Sequence, residues 1–299
     1  MEKRLLYHWL DGKIVTNKNF SISILTHSLH YGSAAFEGIR FYQIADESLI
    51  FRLGDHLNRL KFSAKAIGLK VKYSKDVLSK VIVALIKKNE IREGYVRPII
   101  WVDGNMKIDV FRDIHIGISV WPWPRVLGDS PVKVKTSNIR RIHPKTTVVE
   151  AKIAGHYINS IQAIREVEKS SYDEALLLDT DGYVAEGPVA NIFFVKNRKL
   201  ITPARGSILS GITRDTIIHL ARDLRLAVVE RRIKPKEIKS FDEAFFTGTA
   251  VEILPIAKID NHFFNKGIEG PVTKSIKKAY NDTVRGNIKK YNIKWITKV

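Results

Sequence analysis

Residues 149–160 read VEAKIAGHYINS, and the interpretation of the whole chain starts from the lysine in this stretch. Lys152 stands among Ala151, Ala154 and Gly155, just before an apolar-periodic run that begins at Tyr157. A lysine among small, uncharged neighbours can lose its water, and desolvation lowers the pKa of its amine. A neutral amine can form a Schiff base with an aldehyde. A surface lysine at the start of a helix fits the same letters, so other stretches must discriminate between the two interpretations.

Size and composition indicate a soluble globular protein of one or two domains. The chain has 299 residues, with 44% hydrophobic and 27% charged residues, which suits one large or two ordinary domains. No apolar run reaches the roughly 18 residues of a membrane helix, and no secretory signal follows Met1. Cysteine is absent, which excludes disulfides, thiolate metal sites and a cysteine nucleophile. We therefore expect a cytoplasmic protein.

The net charge of +19 favours an anionic ligand or nucleic acid. The basic residues are spread along the chain and are densest from Lys274 to Lys298, where lysines alternate with apolar residues. That pattern predicts a solvated helix face and a final strand. No nucleic-acid-reading motif is present, so a basic nucleic-acid-binding protein without catalysis is the minor alternative.

The residue patterns predict an α+β fold with a linker at residues 121–131, which contain two prolines and Gly128. Domains of residues 1–120 and 132–299 follow. In the first we expect a hairpin around Asp11-Gly12, strand character at Ser21 to Ile24, helices over 55–69 and 74–88 with Ser74 as cap, and strands over 95–102 and 115–120. In the second we expect helices after Lys152 and Gly211 among short strands. Strict βαβ alternation is missing, which disfavours a doubly wound sheet.

A Schiff-base lysine needs an aldehyde cofactor, and pyridoxal phosphate (PLP) is the usual one. Its pyridine nitrogen needs an acid partner, and Glu186 is the candidate because it ends the apolar strand Tyr183–Ala185 and precedes a tight turn. Its phosphate needs a helix N-terminus, and the segment 210–215 (SGITRD) offers the amides of Ile212 and Thr213 after a glycine. An exposed carboxylate and an ordinary helix start are the competing interpretations.

Two further segments offer anion-binding groups. The turn at residues 247–252 (TGTAVE) carries exposed amides and hydroxyls, although a plain hairpin loop has the same composition. Tyr95 and Arg97 lie on the same face of one strand, and an inward-facing arginine is costly unless it meets an anion. A substrate carboxylate or a structural ion pair would satisfy Arg97. Arg59, on a predicted helix, is the candidate cation for a phosphate.

Other chemistries find little support. The chain has no P-loop, no GxGxxG after a strand and no HExxH spacing. His27 and His30 are three residues apart, but no third ligand stands out, so we expect no metal site.

Taken together, the motifs resemble the fold-type IV PLP enzymes, and within them the branched-chain amino acid aminotransferases. The resemblance runs from about Trp9 to Ile259. The motifs that carry it are His30-Tyr31-Gly32, Phe36-Glu37-Gly38-Ile39-Arg40, Arg59, Tyr95-Val96-Arg97-Pro98, Ala151-Lys152 with Gly155 and Tyr157, Glu186-Gly187 with Asn191, Gly211-Ile212-Thr213-Arg214, and Gly248-Thr249-Ala250 with Glu252. Each is weak alone, but their order and spacing are specific.

The resemblance implies a two-domain fold, with a smaller N-terminal α/β domain, a larger C-terminal domain with a short-stranded β core, and PLP between them. Lys152 would hold the cofactor covalently and move a proton during transamination. Glu186 would pair with the pyridine nitrogen and Tyr157 with the phenolic oxygen. The phosphate ligands would be Arg59, Ile212, Thr213 and Thr249.

The same resemblance implies the substrate site. Thr249, Ala250 and Tyr95 would bind the α-carboxylate, and Arg97 with Tyr31 the second carboxylate of glutamate or 2-oxoglutarate. Phe36, Gly38, Trp123 and Tyr157 would line an apolar pocket for leucine, isoleucine and valine. A neighbouring subunit completes the pocket in the family, so a homodimer is the minimum assembly and a hexamer the larger alternative.

Two related activities stay open at this point: transamination of D-amino acids or (R)-amines, and aminodeoxychorismate lyase activity. Those relatives usually carry other residues at 95–97 and 248–250. The segment 187–191 (GPVAN) departs from the family, which often has a second glutamate just before the asparagine, and Val126 stands where an aromatic residue is common. These departures bear on side-chain preference rather than on the cofactor.

Overall fold

The structure, a computed structural model, describes residues 5–18, 20–104, 106–108, 111–123 and 130–299. Contacts within the chain divide it into two compact units. The first unit takes Met1–Pro124, Ala151–Gly155 and Thr283–Val299, and the second takes Arg125–Glu150 and His156–Asp282. The chain therefore passes between the units more than once, because residues 151–155 and 283–299 pack with the first.

The domain limits expected from the sequence stay a prediction. They place one linker at residues 121–131 between domains 1–120 and 132–299, whereas the contact-based units also return residues 151–155 and 283–299 to the first unit. Residues 124–129 of the linker, Val126 among them, lie outside the described residues.

Seven helices lie in the described part of the chain. They are α1 (His27–Tyr31), α2 (Leu53–Ala66), α3 (Lys75–Asn89), α4 (Tyr157–Val167), α5 (Ile212–Asp223), α6 (Pro271–Val284) and α7 (Lys289–Trp295). Short 3₁₀ helices stand at Ala154–His156, Pro235–Ser240 and Asn265–Gly267. The cap predicted for the second long helix is confirmed, because Ser74 Oγ accepts a hydrogen bond from the N–H of Val77 at 3.2 Å.

Eight strands of the first unit form one antiparallel sheet. In chain order the strands are β1 (Tyr7–Leu10), β2 (Lys13–Thr16), β3 (Ala35–Phe36), β4 (Ile39–Ile44), β5 (Glu47–Phe51), β6 (Gly94–Asp103), β7 (Asp113–Trp121) and, from the far end of the chain, β17 (Ile296–Lys298). Their order across the sheet is β17-β5-β4-β6-β7-β1-β2, with β3 also paired to β6. The hairpin at Asp11-Gly12 is confirmed, with both residues at positive φ (46° and 96°).

The core of the first unit lies under α2. Leu53, Leu57, Leu60 and Ala64 recur at helical spacing on this helix and are all buried. They share one apolar cluster with the inward residues of β4, β6 and β7, such as Phe41, which explains why this face of the helix is fixed. The strand character expected at Ser21 to Ile24 is wrong, because the main chain there is irregular and turns at residues 24–25 before α1.

The second unit holds a mixed sheet. Its strands are β8 (Val132–Arg140), β9 (Glu174–Leu178), β10 (Val184–Glu186), β11 (Asn191–Lys196), β12 (Lys199–Thr202), β13 (Val228–Glu230), β14 (Glu243–Gly248), β15 (Glu252–Ile259) and β16 (His262–Phe263). They lie in the order β10-β9-β8-β15-β14-β11-β12-β13, and β16 pairs with β15. β8 runs parallel to β9 and β15, and most other pairs are antiparallel. This mixture confirms the α+β class.

The helix predicted after Lys152 exists as α4, but its buried face differs from the apolar one. Asn159, Ser160, Ala163 and Val167 face inward, whereas the isoleucines of the periodic run are exposed by 38–60%. Two hydrogen bonds explain why polar residues of α4 face inward. Asn159 Nδ2 donates to the carbonyl of Arg140 at 2.7 Å, and Ser160 Oγ donates to that of Pro188 at 2.5 Å. An apolar stripe therefore stays at the surface of the single chain.

No helix in the described residues combines the length and the apolar character that crossing a bilayer requires.

Candidate active site

The lysine segment is attached to the first unit by main-chain hydrogen bonds. The N–H of Phe36 donates to the carbonyl of Lys152 at 3.1 Å, that of Ala154 to Ala34 at 2.8 Å, and that of Gly155 to Gly32 at 3.0 Å. An isolated bridge between Ala35 and Ile153 belongs to the same pairing. Residues 152–155 therefore run beside residues 32–36 like a short extra strand. Pairing of this kind fixes the backbone from which the lysine side chain extends.

Small residues are required where this segment passes α1. A Cβ on Gly32 would lie 2.7 Å from Cα of Gly155, and Gly32 has a positive φ of 64°. Both facts exclude a larger side chain at Gly32 without a shift of the backbone. The small residues that first drew attention to Lys152 thus serve close approach of two backbone segments.

The amine of Lys152 lies over an aromatic ring. Its Nζ is 4.8 Å from the centroid of Phe36, and the residue is half-buried. The guanidinium carbon of Arg97 is 4.9 Å from the same ring centroid and 5.4 Å from that of Tyr95. This geometry confirms that Tyr95 and Arg97 share a face of β6. Lys152, Phe36, Tyr95 and Arg97 thus form one cluster in the first unit.

The cationic head of Arg97 has an unused hydrogen-bond donor. Its Nε is buried, and no acceptor is found for this atom among the residues that the structure describes. A buried donor without an acceptor is costly, and a bound carboxylate would remove that cost. The structural ion pair that the sequence left open for Arg97 is not seen within the described residues.

Gly38 makes room for Tyr95. A Cβ at residue 38 would lie 1.7 Å from the hydroxyl oxygen of Tyr95, so any other residue would displace this ring. Tyr95 also packs against Trp121 and Trp123, with ring centroids 5.5 and 5.4 Å apart. The buried indole Nε1 of Trp123 has no hydrogen-bond partner in the described part of the chain. The predicted residues Gly38, Tyr95 and Trp123 therefore form one wall.

Tyr31 lies at the surface of the first unit. It ends α1, is 44% exposed, and donates from its hydroxyl to the carbonyl of Met106 at 3.2 Å. Its ring packs on His27 at 4.6 Å between centroids. No group of three His, Asp or Glu residues suited to a metal ion occurs among the described residues, His27 and His30 included.

Arg59 takes part in a buried charge cluster. Its Nε donates to Glu37 Oε1 at 2.5 Å and its second terminal nitrogen donates to Oε2 at 3.0 Å, while His56 Nδ1 lies 2.8 Å from Oε2. Burial alone would raise the pKa of the fully buried Glu37, but the charges and hydrogen bonds of Arg59 and His56 outweigh burial and hold this pKa far below its usual value. Burial lowers the pKa of His56, and Glu37 only partly opposes that shift. The cluster fixes the direction in which the Arg59 guanidinium points.

In the second unit, Glu186 is buried at the end of β10. Arg141 Nε donates to its Oε1 at 2.6 Å, Asn191 Nδ2 donates to Oε2 at 2.8 Å, and the N–H of Leu209 lies 3.1–3.2 Å from both oxygens. The exposed strand-end carboxylate considered from the sequence is therefore wrong. These donors give both carboxylate oxygens hydrogen-bond partners.

The helix tip predicted to bind phosphate is tied to the same carboxylate. Gly211 caps α5 with no side-chain hydrogen bond, and Ile212 and Thr213 are the first residues of the helix. A Cβ on Gly211 would lie 1.9 Å from Asn191 Oδ1, so only glycine fits there. Because Asn191 also donates to Glu186 and to the carbonyl of Leu209 (3.0 Å), one amide links the carboxylate to the loop before the helix.

Thr249, Ala250 and Val251 form the turn between β14 and β15. Gly248 pairs with Glu252 across this hairpin, and all three turn residues are half-buried. The hydroxyl of the preceding Thr247 is buried without a partner among the described residues. Tyr157 begins α4 and is half-buried. The hairpin loop interpretation is confirmed, and anion binding by this turn stays a prediction.

Four residues that support the site were given no role from the sequence. Arg141 holds Glu186 from 45 residues away, Glu37 with His56 holds Arg59 from up to 22 residues away, and Ser63 accepts a hydrogen bond from the N–H of Lys152 at 2.8 Å across 89 residues. The only available signal was helical spacing, which puts His56, Arg59 and Ser63 near one face of α2.

Comparisons with known proteins identify the family of this chain. The family model "Amino-transferase class IV" matches residues 34–259. The branched-chain-amino-acid aminotransferase of Pseudomonas aeruginosa is 38% identical over 285 residues, covering 93% of this chain and 92% of the relative. The crystal structure of a branched-chain aminotransferase from Thermoproteus uzoniensis with norvaline has a TM-score of 0.94 at 38% identity, covering 98% of this chain and 99% of the other.

A third relative was solved with the cofactor. The branched-chain amino acid aminotransferase from Thermobaculum terrenum in its PLP form has a TM-score of 0.93 at 34% identity, covering 98% of each chain. The family model covers residues 34–259, and the sequence and structural relatives align over nearly the whole chain. The chain belongs to the class IV aminotransferases and, within them, groups with the branched-chain-amino-acid aminotransferases.

Proposed function

We propose that this enzyme transfers the amino group of leucine, isoleucine or valine to 2-oxoglutarate, with PLP as cofactor. The observation that supports the proposal is Lys152: a half-buried lysine over Phe36, in a segment held by main-chain hydrogen bonds to residues 32–36. PLP supplies an aldehyde that links to a lysine and a protonated ring that withdraws electrons. Lys152 Nζ would hold the cofactor and then move a proton at the substrate Cα.

The residues of the second unit fit the demands of PLP. Glu186 carries a buried carboxylate with three sets of donors around it, which suits a partner for a protonated pyridine nitrogen. The tip of α5 offers the amides of Ile212 and Thr213 behind a glycine where a Cβ would clash, which suits a phosphate. Thr249 in its turn and Arg59, aimed by Glu37, are the further phosphate ligands we propose, and Tyr157 is the partner of the phenolic oxygen.

The residues of the first unit suit a substrate with an apolar side chain or a carboxylate at its end. Phe36, Trp123 and Tyr95 supply aromatic surface, and the buried donor of Arg97 supplies a polar end for 2-oxoglutarate. We assign the α-carboxylate to Tyr95 with the turn of Thr249 and Ala250. Gly38 would serve the site by leaving room for the Tyr95 hydroxyl. Tyr31 would bind the second carboxylate of glutamate or 2-oxoglutarate together with Arg97.

A homodimer is the minimum assembly that we propose, and a hexamer is the larger alternative. Exposed apolar residues support it: Ile24, Leu25 and Leu29 on the first unit, and separately Ile158 and Ile161 on the second. Surfaces of this kind favour a protein partner. Light scattering of the eluted protein tests the assembly, and a monomer at micromolar concentration would reject it. A cytoplasmic location stays a prediction from the absence of cysteine.

The direct test combines the cofactor spectrum with turnover. Purified protein with L-leucine and 2-oxoglutarate should form L-glutamate, and Lys152→Ala should abolish both turnover and the visible band of the lysine-bound cofactor. D-Alanine in place of L-leucine is the control for stereochemistry, and faster reaction with D-alanine would reject the L-amino acid assignment. An unchanged spectrum in Lys152→Ala would reject the lysine assignment.

A further inference from the structure

The buried face of α2 contacts the lysine segment as well as the charge cluster. Ser63 lies one helical turn after Arg59 on this helix and is fully buried. Its hydroxyl accepts the hydrogen bond from the N–H of Lys152 at 2.8 Å. The carbonyl of Lys152 accepts from Phe36 on the other side, at 3.1 Å. Both polar groups of the Lys152 backbone are therefore held, one by a strand and the other by a serine side chain.

Strand-like pairing of the lysine segment leaves one group to be held by other means. The bonds from residues 32–36 hold the carbonyl of Lys152 and the N–H groups of Ala154 and Gly155, but not the N–H of Lys152 itself. The Ser63 hydroxyl accepts the hydrogen bond from this N–H. Removing the hydroxyl would break this bond and would let the lysine backbone shift.

We propose that Ser63 is a positioning residue for Lys152: it fixes the lysine backbone so that Nζ is presented to the cofactor aldehyde. The proposal rests on the proposed function, in which Lys152 binds PLP. Ser63 acts on the covalent link and has no part in holding the phosphate, which we assign to Arg59 and the tip of α5. The two tasks are therefore separable by choice of ligand.

Two forms of the cofactor provide that separation. PLP makes the phosphate contacts and also the covalent link to lysine. Pyridoxamine 5'-phosphate carries an amine in place of the aldehyde, so it makes the phosphate contacts but cannot link to lysine. The dissociation constant of pyridoxamine phosphate divided by that of PLP, both for the cofactor-free protein, therefore reports on the lysine link alone. This ratio falls when the link is weakened, and its measurement needs no turnover.

Titration of the cofactor-free protein with each ligand tests the proposal. We expect Ser63→Ala to raise the dissociation constant of PLP about tenfold and to leave that of pyridoxamine phosphate unchanged. Ser63→Cys keeps the shape of the side chain but has only a weak acceptor, so it should show the same selective loss even if the alanine variant folds poorly. Ser48→Ala is the matched control, because Ser48 is a buried serine of the same unit whose hydroxyl donates to the carbonyl of Arg92 at 2.7 Å.

Each outcome of the titration supports or rejects a defined statement. Equal weakening of both ligands in Ser63→Ala would mean a general structural role and would overturn the proposal. A wild-type ratio in both Ser63 variants, with a reduced ratio in Lys152→Ala, would overturn the role of Ser63 but keep the proposed function. A wild-type ratio in Lys152→Ala would overturn the lysine assignment itself.

Discussion

Two buried glutamates, one in each unit, have pKa values shifted in opposite directions. Glu37 is fully buried, yet Arg59 and His56 outweigh the effect of burial and lower its pKa far below the usual range. Glu174, at the start of β9, is also buried, and burial raises its pKa to about 7 because the N–H of Ala175 opposes this shift only in part. The difference shows that the partners of a buried carboxylate set its charge, and that depth alone does not.

Glu186 belongs with Glu37 in this comparison. Its carboxylate accepts hydrogen bonds from an arginine, an amide side chain and a backbone N–H, so it is buried among donors as Glu37 is. Four substitutions, at these three glutamates and at the exposed Glu47, test whether the charged partners of a carboxylate, rather than its burial alone, decide its contribution.

The largest effect is expected for Glu186→Gln. Removing the charge should lower turnover of L-leucine with 2-oxoglutarate by about 10²–10³-fold at saturating PLP, the size typical of losing one electrostatic partner of the reacting group. Steady-state rates measure the effect. Glu174→Gln is the control and should keep wild-type turnover. Wild-type turnover in Glu186→Gln would show that its charge is dispensable.

Glu37→Gln should destabilise the first unit by about 3 kcal/mol near pH 7.5, because it leaves Arg59 and His56 without their buried carboxylate. A lowered pKa contributes stability that is fully present above the unfolded-state pKa and is lost as pH falls towards the folded-state pKa. The cost of the substitution should therefore shrink below about pH 4.5. Denaturant unfolding near pH 7.5 and below about pH 4.5 measures this cost. An equal cost under the two conditions would contradict the assigned charge of Glu37.

Glu174→Gln should stabilise the protein, in contrast to the change at Glu37. A raised carboxyl pKa means that the folded state binds the proton more tightly, so stability falls as pH rises from the unfolded-state pKa to about 7 and is then constant. The gain from the substitution should increase by about 2 kcal/mol between about pH 5.5 and about pH 8.5. Unfolding curves at the two pH values measure this gain. A pH-independent effect would show that Glu174 titrates normally.

The smallest effect is expected for Glu47→Gln. Glu47 pairs with Lys298 at 2.9 Å, but the two side chains are 57% and 71% exposed, so water and salt screen their attraction. The free energy of unfolding should change by less than about 0.5 kcal/mol, and less still in high salt. A cost like that of Glu37→Gln would erase the distinction between buried and exposed pairs.

Local patterns predicted the parts of the fold that depend on neighbours in sequence. The Asp11-Gly12 hairpin, the Ser74 cap and the shared face of Tyr95 and Arg97 all follow from turn chemistry, capping and the two-residue period of a strand. The helix with Gly211 at its tip follows for the same reason. The family resemblance supplied the assignments to PLP, and the roles of individual residues stay predictions.

Long-range partners could not be predicted. The pairing of Arg141 with Glu186 and the attachment of residues 152–155 to residues 32–36 depend on the folded backbone, and no periodicity encodes them. The exposure of the α4 isoleucines could not be predicted either, because the sequence alone does not show which face of a helix packs against the rest of its unit. In each case the missing information is the identity of the neighbouring element.

The strand β17 has a consequence for how the chain acquires its structure during synthesis. It pairs Ile296 with Phe51 and Lys298 with Leu49, so the border of the first sheet beside β5 is completed by residues made about 250 positions later. Until the ribosome has released that segment, the backbone N–H and C=O groups on this edge of β5 are unpaired. They can then pair with a strand of another protein, which promotes aggregation. Trapping nascent chains before and after residue 296 and comparing their protease resistance would show when this border closes.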